Sequence, residues 1–373
     1  MYIPYGRQWI DEDDIKAVTQ ALQSDYLTTG PRIAEFEKLV ADYVGVKYAV
    51  AVSNGTAALH IACMAAGIKE GDEVITTPIT FVASANCVLY CGGTPVFADV
   101  NPNTYNIDPN EIRKKITSRT KAIIAVHFAG QPCEMDEIRQ IAKEYNLVVI
   151  EDAAHALGAD YKGKMIGSIS DMTTFSFHPV KHITTGEGGM VTTNDKELYQ
   201  LLCRYRSHGI TRDSSLMTSY DGPWYYQQLE LGYNYRITDI QCALGISQMK
   251  KLDFFVSRRR ELAGRYHKAF ENLENIIMPG QLPGCNSSWH LYVIQVQPQR
   301  RKEIFEKLTA KGIGVNVHYI PVYTQPYYRQ HGYEDVSCPS AESIYAGFIS
   351  LPMYASLSNE EQDYVIEQIK GVI

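Results

Sequence analysis

The chain has 373 residues, 42 acidic side chains against 35 basic ones and a formal charge of −7, so nothing draws it to nucleic acid or an anionic membrane. Hydrophobic residues make up 45% and charged residues 21%, a balance that supports a buried core and excludes a disordered chain. At about 150 residues per domain, the length implies two or three compact units, or one large domain with a smaller partner.

The opening residues run from Met1 into Asp11–Asp14 without the basic and apolar stretches of a signal peptide. No apolar run approaches membrane-spanning length. The eight cysteines are scattered, with no C-x-x-C pair, so the expectation is a reduced, cytoplasmic protein. A first helix is predicted over 12–23, with Asp11 as its N-cap. From residue 47 to about 193, short apolar runs (48–52, 73–76, 95–98, 122–126, 147–150) alternate with helical patterns (56–66, 82–90, 109–116, 135–145). The runs are continuously apolar, as strands covered on both faces are. Strand–helix alternation of this kind predicts a parallel sheet with crossover helices. Segments 172–177 and 189–192 follow without helices between them, so the sheet is expected to become mixed there. A helix is read over 198–206. Residues 207–236 are rich in Gly, Tyr and Trp with little period, too long for an ordinary loop. Helices at 238–250 and 253–272 lead into a tail (291–296, helix 301–311, 315–318, helix 358–370) that reads as a smaller α+β unit. The division expected is a large α/β domain over 1–250, with an N-terminal arm and helix over 1–25, and a small C-terminal α+β domain over 251–373.

Residues with reactive potential fall at the C-terminal ends of these strands, where open α/β sheets bind ligands. Ser53-Asn54-Gly55-Thr56-Ala57-Ala58 joins a strand to a helix; its glycine allows close approach and the helix start offers free N–H groups, a cup for phosphate or a plain helix cap. Asp152 ends an apolar run in Glu151-Asp152-Ala153-Ala154-His155. A carboxylate there is costly unless it meets a cation or strong donors, and it reads either as an N-cap or as the partner of a protonated ring nitrogen, with His155 placed to hold it. Lys181 lies between Thr174–His178 and the turn Gly186-Glu187-Gly188-Gly189. It is either an exposed loop lysine or, if desolvated, a usable amine nucleophile. His178 and His182 are four apart, but Pro179 argues against the helix that would align them on a metal, and no metal is expected. Taken in order, a phosphate cup, a strand-end Asp and a Ser-x-x-x-x-Lys are what pyridoxal phosphate needs: the Asp keeps the ring nitrogen protonated and the lysine binds the aldehyde.

These motifs, together with Tyr26-Leu27-Thr28-Thr29-Gly30, Glu35-Phe36-Glu37, Thr80-Phe81-Val82-Ala83 and Gly232-Tyr233-Asn234-Tyr235-Arg236, cover nearly the whole chain. They resemble the fold-type-I, pyridoxal-phosphate-dependent nucleotide-sugar aminotransferases of the DegT/StrS type. Pro223-Trp224-Tyr225-Tyr226 and Val317–Tyr323 are similar to the subgroup that makes UDP-4-amino-4,6-dideoxy-N-acetyl-β-L-altrosamine, a step toward pseudaminic acid. The resemblance implies a large domain with a mostly parallel, mixed sheet, pyridoxal 5′-phosphate as cofactor, a UDP-sugar substrate and glutamate as amino donor. It also implies a homodimer with shared sites. By position, Lys181 would bind the cofactor and shuttle the proton, Asp152 would meet the ring nitrogen, His155 would support the Asp or the ring oxygen, and Phe81 would stack on the ring. Gly55, Thr56 and Ser176 would hold the phosphate, completed by Asn234 of a neighbouring subunit. Tyr5, the segment Asp25, Tyr26, Leu27 and Thr28, and the segment His318, Tyr319, Ile320 and Pro321 would form the nucleotide-sugar site. The rivals are an aminotransferase for another 4-keto-6-deoxy sugar (D-xylo UDP, GDP or dTDP series) and a desulfurase or lyase, for which Cys203, Cys242 and Cys285 offer no reactive loop thiol. The run Arg258-Arg259-Arg260 reads as a solvated or interface helix face rather than a nucleic-acid site.

Overall fold

The computed structural model describes residues 2–373. Seven strands form the central sheet: β1 (Tyr48–Val52), β2 (Glu73–Thr76), β3 (Thr94–Phe97), β4 (Thr120–Val126), β5 (Val148–Asp152), β6 (Met172–Ser176) and β7 (Gly189–Thr193). Their spatial order is β1-β7-β6-β5-β4-β2-β3. Neighbours from β6 through to β3 pair in parallel, and β7 alone runs antiparallel to both β1 and β6. The continuous apolar runs earn this position: β1, β4 and β5 are buried over four or more consecutive residues, and separate apolar clusters cover the two sheet faces. The sheet is therefore mixed where the sequence turns from alternation to two successive strands.

Helix starts are fixed largely by short polar side chains. Asp11 caps α1 (Glu12–Leu22) in a reciprocal box with Asp14, and Asn54 Oδ1 accepts the Ala57 N–H at the start of α3 (Gly55–Ala65). The helix α2 (Pro31–Val44) was not among the sequence expectations. Its cap comes from far along the chain, since Asp239 accepts the Gly30 and Arg32 N–H groups at 2.7 and 3.0 Å. The opposite error occurs at 315–318, expected as a strand. There Asn316 forms only a single bridge to Ser350, because the strand Phe348–Leu351 gives its ladder to Tyr292–Gln295. Residues 207–236 are mostly irregular, with one short pairing of Ile210–Thr211 and Gln227–Gln228.

The C-terminal part packs around its own apolar cluster, which includes Tyr292, Ile294, Leu308, Ile349, Leu351 and Val365. Ile3 of the N-terminal arm is buried in the same cluster, its N–H donating to Gly312 O at 2.9 Å. The long helix Leu252–Phe270 belongs to both cores. Its first turn places Leu252, Phe255 and Val256 in the sheet cluster, and its later turns place Leu262, Tyr266 and Phe270 in the C-terminal one. No helix among the described residues is long and apolar enough to cross a membrane.

Candidate active site

The carboxyl ends of β1, β4, β5 and β6 open into one cavity of about 760 Å³, lined among others by Val126, Asp152 and Ser176. β7 begins at its floor. Gly189 is required there because a Cβ would lie 2.4 Å from Asn54 O. The same closeness holds the start of α3 against the sheet, where the Gly55 and Thr56 N–H groups have no acceptor among the described residues. A Cβ on Gly55 would come within 3.0 Å of Ser176 Cβ, so the two backbones and the Ser176 hydroxyl form a shallow cradle. Free amides at a helix start with an adjacent hydroxyl suit a phosphate dianion.

Asp152 stands at the end of β5, 5% exposed, and no cation lies within salt-bridge distance of it among the described residues. Its Oδ2 accepts Ser84 Oγ at 2.6 Å and its Oδ1 accepts the Ala154 N–H at 3.1 Å. A buried anion left with neutral donors only is suited to a protonated nitrogen entering the cavity. His155 lines the cavity but makes no hydrogen bond to this carboxylate, one of the two partners the resemblance implied for it, the other being the ring oxygen of the cofactor. Its Nδ1 accepts the Ala129 N–H at 3.3 Å and its Nε2 lies 3.3 Å from Tyr319 Oη, because the ring turns away from the strand end toward the C-terminal wall. Burial holds the His155 pKa well below its ordinary value, so the ring is neutral.

Lys181 follows β6 and reaches the same cavity. Desolvation pushes its amine down to about 8, against the opposing pull of Asp152 and with a smaller push from the Arg259 guanidinium. The free-base fraction of this amine is therefore about a tenth at pH 7 and half near pH 8, far more than a solvated lysine offers. Phe81, 59% exposed, lines the opening, with the Tyr319 ring tilted against it at 6.2 Å between centroids. Cradle, buried carboxylate, exposed ring and desolvated amine together fit pyridoxal phosphate: Gly55, Thr56 and Ser176 would take its phosphate, Asp152 its ring nitrogen, Phe81 its face and Lys181 its aldehyde.

The outer wall comes from both ends of the chain. Tyr5, His318 and Tyr319 line it, with the Tyr5 and His318 rings 5.4 Å apart. His318 Nδ1 meets Ser350 Oγ at 2.8 Å, and burial lowers its pKa to about 4, so it too is neutral. Asp25, Tyr26, Leu27, Thr28, Ile320, Pro321 and Asn234 do not line this cavity. Tyr26 and Leu27 lie exposed before α2, Thr28 bridges to Thr238, Asn234 bridges to Ser207, and Ile320 is exposed. Sequence reasoning missed Ser84, one residue beyond the Thr80–Ala83 motif, and His290, whose ring stacks 4.3 Å from His155 with no motif to announce it.

A desolvated amine in one cavity with a buried carboxylate and a phosphate cradle, all on the carboxyl edge of a mixed sheet, fits the fold-type-I, pyridoxal-phosphate-dependent aminotransferase that the family and solved structures define. Residues 8–370 match the DegT/DnrJ/EryC1/StrS aminotransferase family, and the chain belongs to it. It is 44% identical to the spore coat polysaccharide biosynthesis protein SpsC of Bacillus subtilis, over 100% of this chain and 97% of that one. It is 40% identical to the UDP-4-amino-4,6-dideoxy-N-acetyl-β-L-altrosamine transaminase of Campylobacter jejuni, with the same coverage. Among solved structures it resembles Helicobacter pylori PseC, an aminotransferase involved in the biosynthesis of pseudoaminic acid. The TM-score is 0.93 at 35% identity, covering 100% of this chain and 99% of that one.

Proposed function

We propose that the enzyme moves an amino group from glutamate to C4 of a UDP-linked 4-keto-6-deoxy-N-acetylhexosamine. The substrate proposed is UDP-2-acetamido-2,6-dideoxy-β-L-arabino-hexos-4-ulose, aminated on the way to pseudaminic acid. The observation that carries this reading is the wall of the cavity. Beyond the cofactor positions it is lined mostly by rings with neutral polar groups, Tyr5, Tyr90, Tyr235, Tyr319 and His318, with Glu187 as the one carboxylate there and no arginine. Such a wall suits an uncharged, hydroxyl-rich hexose. The altrosamine transaminase at 40% identity supports the L-series sugar.

When bound, pyridoxal phosphate supplies the carbonyl that carries the amino group and a ring that withdraws electrons. Asp152 would hold the positive charge on its ring nitrogen, and the α3 amides and Ser176 would anchor its phosphate. Lys181 Nζ would take the proton from Cα of the donor. In the second half-reaction it delivers a proton to C4 of the sugar. Neutral His155 and His318 leave Lys181 as the titrating base of this group.

Incubation with glutamate and equal amounts of the L-arabino and D-xylo 4-keto UDP sugars tests the substrate. The expected result is at least about tenfold faster amination of the L-arabino compound, the discrimination that one or two hydrogen bonds supply. Preference for the D-xylo sugar would move the enzyme to the second reading, another nucleotide sugar, which the 44% likeness to a spore coat polysaccharide protein favours.

The proposal includes a homodimer with shared sites. Asn234 and the segment 25–28 lie outside the cavity of their own chain, and the neighbouring segment leaves Tyr220, Trp224, Tyr226 and Leu231 exposed. An apolar group of this size is a candidate interface. Mixing inactive Lys181→Ala and Asn234→Ala proteins under subunit exchange is expected to restore up to about a quarter of the activity, the statistical share of one intact site per hybrid dimer. Recovery of none would place Asn234 outside the shared site.

A further inference from the structure

We propose that Ser84, backed by Thr80, is the positioning residue that holds Asp152 as an oriented carboxylate against the cofactor ring. The inference rests on the assignment of Asp152 to the ring nitrogen and extends it to two residues with no role so far. The three side chains are almost completely buried: Thr80 is 3% exposed, Ser84 1% and Asp152 5%. Thr80 Oγ1 and Ser84 Oγ are 2.7 Å apart, and Ser84 Oγ is 2.6 Å from Asp152 Oδ2.

The direction of these bonds follows from proton inventory. An ionised carboxylate only accepts, so the Ser84 hydroxyl donates to it, and Thr80 must then donate to Ser84. The alternative acceptor for the Ser84 proton, Phe81 O, is more distant at 3.3 Å. With the Ala154 N–H on Oδ1, each carboxylate oxygen receives one neutral donor and keeps lone pairs free. Donated hydrogen bonds favour the charged form and fix the carboxylate plane, which sets where a ring nitrogen must lie to meet it.

The same turn holds the other contact to the ring. Ser84 begins the helix Ala83–Tyr90, and its N–H donates to Phe81 O at 3.2 Å. The Ser84 side chain therefore ties the turn that carries Phe81, on the face of the ring, to the strand end that carries Asp152, on its nitrogen. One hydroxyl fixes the spacing of two contacts that come from different elements, which a chain lacking it would leave to backbone packing alone.

A double-mutant cycle on the holoenzyme separates this role from general packing. The readouts are the cofactor dissociation constant and the 15N resonance of isotopically labelled cofactor. Ser84→Ala is expected to weaken cofactor binding roughly 10-fold, the loss typical of a hydrogen bond to a charged group, and to move the ring-nitrogen resonance toward its unprotonated position. Thr80→Val should shift both readouts in the same direction by less. In an Asp152→Asn background, Ser84→Ala should change the dissociation constant by less than about twofold, because the charge it orients is gone even where the Ser84 contact is kept. Additive losses in the double variant, or an unchanged resonance in Ser84→Ala, would overturn the proposal while leaving Asp152 in place. An Asp152→Asn protein with wild-type binding and resonance would remove Asp152 from the ring nitrogen, and the proposal with it.

Discussion

Lys181→Ala is expected to bind pyridoxal phosphate yet lack the yellow absorbance of the lysine-linked cofactor, with transamination lowered by at least about 10⁴-fold. Two functions disappear with one side chain. The amine that captures the aldehyde is lost, and so is the base that moves the proton in each half-reaction. The phosphate cradle of Gly55, Thr56 and Ser176 remains, which is why binding survives the substitution. The lysine's ionisation adds a second signature in the wild-type protein. Only the neutral amine captures an aldehyde, and desolvation brings this amine down to about 8. Capture of the cofactor by the apoprotein should accelerate as pH rises through about 8 and then level off, whereas an ordinary solvated lysine would keep accelerating toward 10.4. Stopped-flow absorbance across this range checks it. A capture rate still climbing steeply above pH 9 would show that Lys181 is not desolvated.

Asp152→Asn is expected to fold and hold cofactor but to lose on the order of 10³-fold in both half-reactions. The amide is nearly isosteric with the carboxylate and can keep the Ala154 and Ser84 contacts after a hydroxyl rotation. It brings no negative charge, so nothing holds the proton on the ring nitrogen and the ring ceases to withdraw electrons. The effect should be seen in kcat with little change in KM, since the charge matters when carbanion character develops and not when substrate docks. Single-turnover rates with glutamate alone and with the sugar alone would show whether both halves fall together. A loss confined to one half-reaction would contradict a role on the ring nitrogen.

The sheet was legible because its strands are buried on both faces and so are written as continuous apolar runs: β2 is read at its observed limits and β5 within two residues. The positions proposed for the cofactor stand out for a related reason. Gly55, Asp152 and Lys181 break those runs with residues that a buried strand end does not otherwise tolerate. Where a feature depends on residues far apart, the local pattern gives no sign of it. The cap of α2 is Asp239, more than two hundred positions away, and the segment 315–318 lost its strand because 348–351 pairs elsewhere. The hydrogen-bond partners of His155 were hidden for the same reason: Ala129 and Tyr319 are contributed by other parts of the chain. Ser84 hid because a serine in the first turn of a helix looks like any other. Only the 2.6 Å approach to Asp152 distinguishes it.

The helix Leu252–Phe270, with its first turn in one core and its later turns in the other, bears on how the protein comes apart. A rigid rod shared by two cores cannot be released from one without withdrawing side chains from the second. Arg259, 2% exposed midway along it, strengthens the tie by donating to the carbonyls of Trp289, His290 and Met353. Separating the parts would break these hydrogen bonds from a charged donor together with the apolar packing around them. The expected consequence is cooperativity: calorimetry should show the sheet and the C-terminal unit melting in a single transition, and two separate transitions would contradict it. The wall that carries His318 and Tyr319 is then as durable as the sheet edge that carries Lys181.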